Sequence, residues 1–122
     1  MKTIIVFFIL AFIKMSAFSQ SEYKLLRQGN NLYTEGKFKD AEMKYRKALE
    51  INKESDKGKF NLGDAAYKQK NFDESSQIFS ELAGKEMDKK TKARIYHNLG
   101  NSFLESKQYD KSILAYKNSL MN

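Results

Sequence analysis

Bulky apolar residues recur in a frame that can be written three times, beginning at Glu22, Asp56 and Ala93. The fourth place holds Leu25, Lys59 and Tyr96, so the second unit breaks the apolar rule there. The seventh and eighth places hold Gln28-Gly29, Leu62-Gly63 and Leu99-Gly100, and the eleventh holds Leu32, Ala66 and Phe103. Spacings of three, four and seven residues fall on one stripe of an α-helix. Each unit is therefore predicted to start with a helix whose stripe faces a neighbour. A polar pivot closes that helix: Glu35-Gly36-Lys37, Gln69-Lys70-Asn71 and Ser106-Lys107-Gln108. An aromatic then stands at one offset (Phe38, Phe72, Tyr109). A second helix follows with Tyr45, Phe79 and Tyr116, then Ala48-Leu49, Leu82-Ala83 and Ser119-Leu120. Asp40 and Glu74 share one place in its first turn, where acidic groups complement the helix dipole. Asp110 sits one place earlier, and Lys111 fills the slot.

A glycine inside a helix costs about 1 kcal/mol relative to alanine, so three at one register imply close approach. The small residues twelve places later, Ala41, Ser75 and Ser112, are the expected partners of Gly29, Gly63 and Gly100. The aromatics would then fill the space between successive hairpins. No such hairpin buries its apolar face alone, and about three are needed for a stable stack. The expected fold is all-α: an α-α superhelix of three tandem helical hairpins, right-handed, over residues 20–122. Its units are about 22–55, 56–92 and 93–122, behind an N-terminal signal segment.

That segment changes the picture of where the chain works. Lys2 precedes an apolar run from Ile4 to Ile13, followed by Lys14 and by small residues at Ala17 and Ser19. This is the pattern of a secretory signal over residues 1–19, cleaved between Ser19 and Gln20. An uncleaved inner-membrane anchor is the alternative. Ten apolar residues, however, span only about 15 Å of helix, half the hydrocarbon thickness. A helix buried in the fold is a third reading. Absence of cysteine excludes a lipid attached at a lipobox and any disulfide, so an exported chain must rely on its packed core. The expected location is the periplasm or envelope of a bacterium.

The formal net charge is +7, from 22 basic and 15 acidic residues. Removing residues 1–19 takes away Lys2 and Lys14 and leaves +5. The charges are interleaved, as in Glu42, Lys44, Arg46, Lys47 and Glu50, which is the mark of a solvated helix face and argues against nucleic acid as a partner. One local basic excess, Lys85, Lys89, Lys90, Lys92 and Arg94, is diluted by Glu86 and Asp88. An anionic membrane surface is an alternative partner for that 85–94 stretch.

The period, the Leu-Gly pairs, the small residue twelve places on and the Ala-Leu type ending together resemble the tetratricopeptide repeat, over essentially all of residues 22–122. The chain departs from that pattern in three ways. It has no proline, Lys53 standing where one is often found. Ser75 and Ser112 replace the usual alanine. The second unit carries three extra residues within Gly84-Lys85-Glu86-Met87-Asp88-Lys89-Lys90. A narrower resemblance rests on Tyr67-Lys68-Gln69-Lys70 and Tyr96-His97-Asn98-Leu99-Gly100-Asn101-Ser102, behind a segment ending Phe18-Ser19-Gln20. These strings are similar to the repeat proteins of bacterial aerotolerance (Bat) operons. That resemblance implies an envelope protein acting with von Willebrand-type membrane partners.

Catalytic chemistry has little to work with. Cysteine is absent, and His97, the one histidine, lies in the fifth place of its helix, off the apolar stripe. No glycine-rich phosphate loop occurs, and the carboxylates are scattered along helix faces. The expectation is a non-enzymatic chain with no catalytic, cofactor or metal-binding residues.

Binding is better served. In a stack of this kind the first helices line a concave groove, and places two, five, six, nine and twelve look into it. The first unit offers Tyr23, Leu26, Arg27, Asn30 and Tyr33. The second offers Lys57, Phe60, Asn61, Asp64 and Tyr67, and the third Arg94, His97, Asn98, Asn101 and Leu104. Rings supply contact area and amides satisfy a peptide backbone, so a protein or peptide partner is expected. Tyr33 and Tyr67 could instead pack between units. Some members of the resembled family clamp a terminal carboxylate with two Asn and three cations. Here Asn30, Asn61 and Arg94 match, but Leu26 and Asn98 stand where cations are needed, so that mode is not expected. Finally, Ile113, Tyr116 and Leu120 would face solvent on an open end. This points to a longer array, or to a partner or second copy covering that end. Self-association through the last helix is thus an alternative function.

Overall fold

The structure is a computed structural model that describes residues 20–121; the segment read as a signal, residues 1–19, lies outside them. The described residues form six helices and no strand. Helix α1 covers residues 20–34, followed by α2 (Phe38–Ile51), α3 (Asp56–Lys68), α4 (Phe72–Ala83), α5 (Lys89–Glu105) and α6 (Tyr109–Met121). They pair as three hairpins, α1–α2, α3–α4 and α5–α6. Each hairpin packs on the next, α2 against α3 and α4 against α5. None of the described helices is long and apolar enough to cross a membrane.

Each hairpin reverses on a residue at one place in the frame, and all three have left-handed backbone: Gly36 (φ 79°), Lys70 (φ 62°) and Lys107 (φ 62°). The chain re-enters through matching hydrogen bonds, Lys37 N to Leu32 O at 2.9 Å, Asn71 N to Ala66 O at 2.9 Å and Gln108 N to Phe103 O at 2.8 Å. These bonds satisfy carbonyls that the helix end would otherwise leave open. Only the first turn uses the residue type for which this conformation is unstrained.

Two apolar clusters hold the stack. Leu26, Ala41, Tyr45, Ala48, Leu62 and Ala65 join the first and second hairpins. Phe79, Leu82, Ala83, Ile95, Leu99 and Ala115 join the second and third. Between the first two hairpins the buried Glu42 accepts from Arg46 at 2.8 Å and Gln69 at 3.2 Å. Arg46 also donates to Glu74, one unit on.

The glycines correct the sequence expectation. A Cβ on Gly29 would stand 2.5 Å from Tyr45 Cε1, one on Gly63 2.8 Å from Phe79 Cζ, and one on Gly100 2.6 Å from Tyr116 Cδ1. The nearest group in each hairpin is the aromatic sixteen places on. A planar ring lying on the opposite helix needs the room that a methyl would not. Tyr45 and Phe79 thus lie on the glycine of their own hairpin and also belong to the clusters that join it to the next. The small residues have other partners. Ser75 Oγ meets Ser102 Oγ of the next unit at 2.7 Å, and Ala41 is fully buried in the first cluster. Only Ser112 reaches its own glycine, donating to Gly100 O at 2.9 Å. Tyr116 likewise leaves the list of open-end residues, because it lies half-buried under Gly100 and donates to Asn101 Oδ1. Ile113 and Leu120 are exposed as expected, at 66% and 89%.

Candidate binding groove

Three parallel first helices, α1, α3 and α5, form the groove floor, and the frame explains why. Places three, seven and ten of α3 and α5 pack backwards onto the preceding hairpin: Gly58, Leu62 and Ala65, then Ile95, Leu99 and Ser102, all buried. A hollow of about 570 Å³ is lined by the predicted residues Leu26, Asn30, Lys57, Phe60, Asn61, Asp64 and Arg94, together with Tyr23 and Arg27. Tyr33, Tyr67, Asn98 and Asn101 line a smaller hollow of about 250 Å³ further along, with Asp64 shared between the two. His97 lines neither. It is exposed, with its ring tilted against Tyr116 at 5.7 Å between centroids.

Amides organise the floor. Asn30 Oδ1 accepts from the Tyr45 hydroxyl at 2.8 Å and from Asn61 Nδ2 at 3.1 Å. One unit on, Asp64 Oδ1 accepts from Asn98 Nδ2 at 3.0 Å. Burial pushes the Asp64 carboxyl up to about 6, against the opposing pull of Arg94 and Lys68. The same cause, burial, raises the Tyr45 phenol to about 12, with Tyr33 and Asp64 adding to it. Tyr33 itself is raised by burial and by Asp64. Arg94 stacks over the Phe60 ring, 5.0 Å from its centroid, and Phe60 meets Phe79 edge-on at 5.4 Å.

Tyr33 and Tyr67 make their ring contacts inside their own hairpins and still line the groove. Their rings pack edge-on against Phe38 at 5.1 Å and Phe72 at 5.3 Å, while their other sides line the hollows. Leu26 is 9% exposed and belongs to the core, and Asn98 is engaged with Asp64. The carboxylate clamp is therefore as incomplete in space as in sequence.

Five groove residues escaped the sequence pattern: Asp56 at the start of α3, Leu82 from α4, Met87 from the α4–α5 loop, and Thr91 and Ile95 from α5. For Met87 the signal was the three extra residues of the second unit, whose position was legible but whose direction was not. That loop also accounts for part of the basic stretch. Lys85 Nζ lies 2.8 Å from Asp56 and 3.6 Å from Glu54, and Lys92 Nζ donates to Lys85 O at 2.8 Å. Two of the five basic residues are thus bound within the chain. Among the described residues no cluster of His, Asp and Glu could hold a metal ion.

A preformed groove of amides, rings and cations on stacked hairpins defines a helical-repeat binding protein. Models of the tetratricopeptide repeat match residues 32–95 and 93–121, and the chain belongs to that family. Proteins of the family act as protein-binding scaffolds or adaptors and are typically non-enzymatic. The chain is similar to the Hsp70-Hsp90 organising protein of Plasmodium falciparum, 29% identical over 104 residues. That match spans 82% of this chain and only 18% of that protein. Among solved structures, the N-terminal domain of stress-induced protein-1 from C. elegans superposes with a TM-score of 0.77. Its identity is 23%, and 86% of each chain is covered.

Proposed function

We propose that the chain is a non-enzymatic adaptor of the bacterial envelope that holds a protein or peptide partner in the concave groove, in a membrane complex of the aerotolerance (Bat) type. The observation that carries the groove reading is the hollow of about 570 Å³ between α1, α3 and α5. Groove side chains are already ordered by one another, the Asn61 amide on Asn30 and, toward the smaller hollow, the Asn98 amide on the Asp64 carboxylate. Side chains set before the partner arrives lower the ordering cost of association. The envelope part rests on the signal-like residues 1–19 and on the strings around Tyr67 and His97.

Capture of envelope proteins by residues 20–122, repeated with Phe60→Ala, Asn61→Ala and Asn98→Ala, tests the groove. A partner retained equally by all three variants would place binding elsewhere. The mass of the chain recovered from cells separates a signal cleaved after Ser19 from a retained anchor, and recovery in the cytosolic fraction overturns the location.

A second reading has its own observation. Along α6, Tyr109, Ile113, Leu114, Leu120 and Met121 are all more than half exposed. In the earlier units the places of Ile113 are Glu42 and Ser76, both buried. Self-association through α6 would cover this face. A head-to-tail pairing would set it against Lys24, Gln28 and Asn31 of α1, which occupy the places of Ile95, Leu99 and Ser102, so a face-to-face pairing of two α6 helices fits better. Light scattering of the parent and of Ile113→Glu decides: a monomer at every concentration removes this reading.

A further inference from the structure

Resting on the groove reading, we infer that the insertion in the second unit makes the groove selective for an internal acidic peptide segment bearing one large apolar side chain, with Met87 the specificity-determining residue. The inserted residues do two things. They lengthen α5 to 17 residues against 13 in α3, adding a first turn capped by Asp88, whose carboxylate accepts from Thr91 N at 2.9 Å. They also turn Met87 inward, half-buried against the second apolar cluster. There it completes an apolar wall with Leu26, Phe60, Leu82 and Ile95. Met87 is the one member of that wall that the loop supplies.

The loop is tied down from both sides. Lys85 reaches back to Asp56 and Glu54, and Lys92 holds the Lys85 carbonyl. Met87 is therefore presented by a braced segment, while its unbranched thioether can still conform to different anchor shapes. The Lys85 contact also pairs Asp56, an acid on the groove rim, with a cation. What remains facing a ligand is Arg27, Lys57 and Arg94, against Asp64, whose charge is opposed by its own burial. An apolar hollow with a cationic rim is complementary to a large apolar side chain between acidic neighbours. Since Leu26 belongs to the floor, no terminal carboxylate is required.

The test uses fluorescent octapeptides, acetylated and amidated, of Asp and Glu around one central Leu, Phe or Ala, with a Lys-flanked Leu peptide as control. The Leu and Phe peptides should bind residues 20–122 about tenfold or more tighter than the Ala peptide, and the Lys-flanked peptide should not bind. Met87→Ser and Lys85→Ala should each remove most of that preference, and Met87→Leu should keep it, with unfolding curves showing that each variant is folded. Equal binding of Leu and Ala peptides, or a preference unchanged in Met87→Ser, overturns the inference. The groove reading survives that result if Asn61→Ala still weakens binding. Failure of every peptide also overturns the inference, and capture of native partners then judges the groove by itself.

Discussion

The Tyr45 hydroxyl donates to Asn30 Oδ1 at 2.8 Å, across the first hairpin and fifteen residues along the chain. The third hairpin repeats the pair with Tyr116 and Asn101. In the second hairpin Phe79 has no hydroxyl, and the residue at Asn30's place is Asp64, which accepts from Asn98 of the next unit instead. The groove-floor residue is thus bonded to its own hairpin's ring where that ring is tyrosine, with Asn30 also accepting from Asn61 of the next unit, and only to the next hairpin where the ring is phenylalanine. Tyr45 is 1% exposed, so Tyr45→Phe should lower stability by about 0.5–1.5 kcal/mol. A double-mutant cycle with Asn30→Ala in urea unfolding should show coupling, and strictly additive losses would mean the bond contributes nothing.

The ring-on-glycine contact makes two glycines respond in opposite ways. Gly63→Ala gains about 1 kcal/mol of helix propensity. Its methyl, however, would lie 2.8 Å from Phe79 Cζ in a packed core, where overpacking costs about 1–3 kcal/mol. A net loss is expected, and Gly63→Leu should wedge the hairpin open. At Gly84 the nearest atom to an added Cβ is Glu81 O at 3.5 Å, and the backbone is right-handed helical. Gly84→Ala should be neutral or gain about 0.5 kcal/mol. Equal melting temperatures for the two alanine variants would refute the packing argument.

Lys70 and Lys107 adopt the backbone that Gly36 adopts without strain. Lys70→Gly and Lys107→Gly should each stabilise the chain by roughly 0.5–1 kcal/mol, the relief of left-handed strain less the entropy that glycine adds to the unfolded state. Gly36→Lys should do the reverse. Thermal unfolding of the three variants checks the sign.

Two carboxylates, the half-buried Asp64 and the buried Glu42, link stability to pH with opposite signs. Asp64 moves from an ordinary 3.8 to about 6 on folding. Between those values the folded chain holds more protons than the unfolded one, so its contribution is present below about pH 4 and lost as pH rises through 6. Asp64→Asn should therefore stabilise by roughly 1–3 kcal/mol at pH 7.5 and make little difference at pH 4. Burial alone would raise Glu42 too, but hydrogen bonds from Arg46, Gln69 and Lys39 outweigh it and hold Glu42 below 4.5. Its contribution is present above 4.5 and lost as pH falls. Glu42→Gln should accordingly weaken the chain at neutral pH and less so in acid. Urea unfolding at the two pH values separates the pair, and a pH-independent effect of Asp64→Asn would count against its burial as the cause.

Much of the groove was legible because it is local. Places two, six and nine of a helix share a face by geometry alone, so Lys57, Asn61 and Asp64, and Arg94, Asn98 and Asn101, could be put on one surface from their spacing. His97 shows the limit: place five held Leu26 and Phe60 in the groove, but the imidazole is against Tyr116. Met87 shows another, since a three-residue insertion announces a departure without saying which way a side chain will turn.

What the sequence by itself determined was the repeat, the helices, the pivots and the residues sharing each face. These follow from 3.6 residues per turn and from backbone preferences that act within a few positions. What only the tertiary structure decided was which residues meet across a hairpin: Tyr45, and not Ala41, over Gly29, and Ser75 against Ser102. Those contacts depend on how far one helix is shifted along the other and how closely their axes approach. Packing of the rings sets that shift, and no periodicity within a single helix contains it.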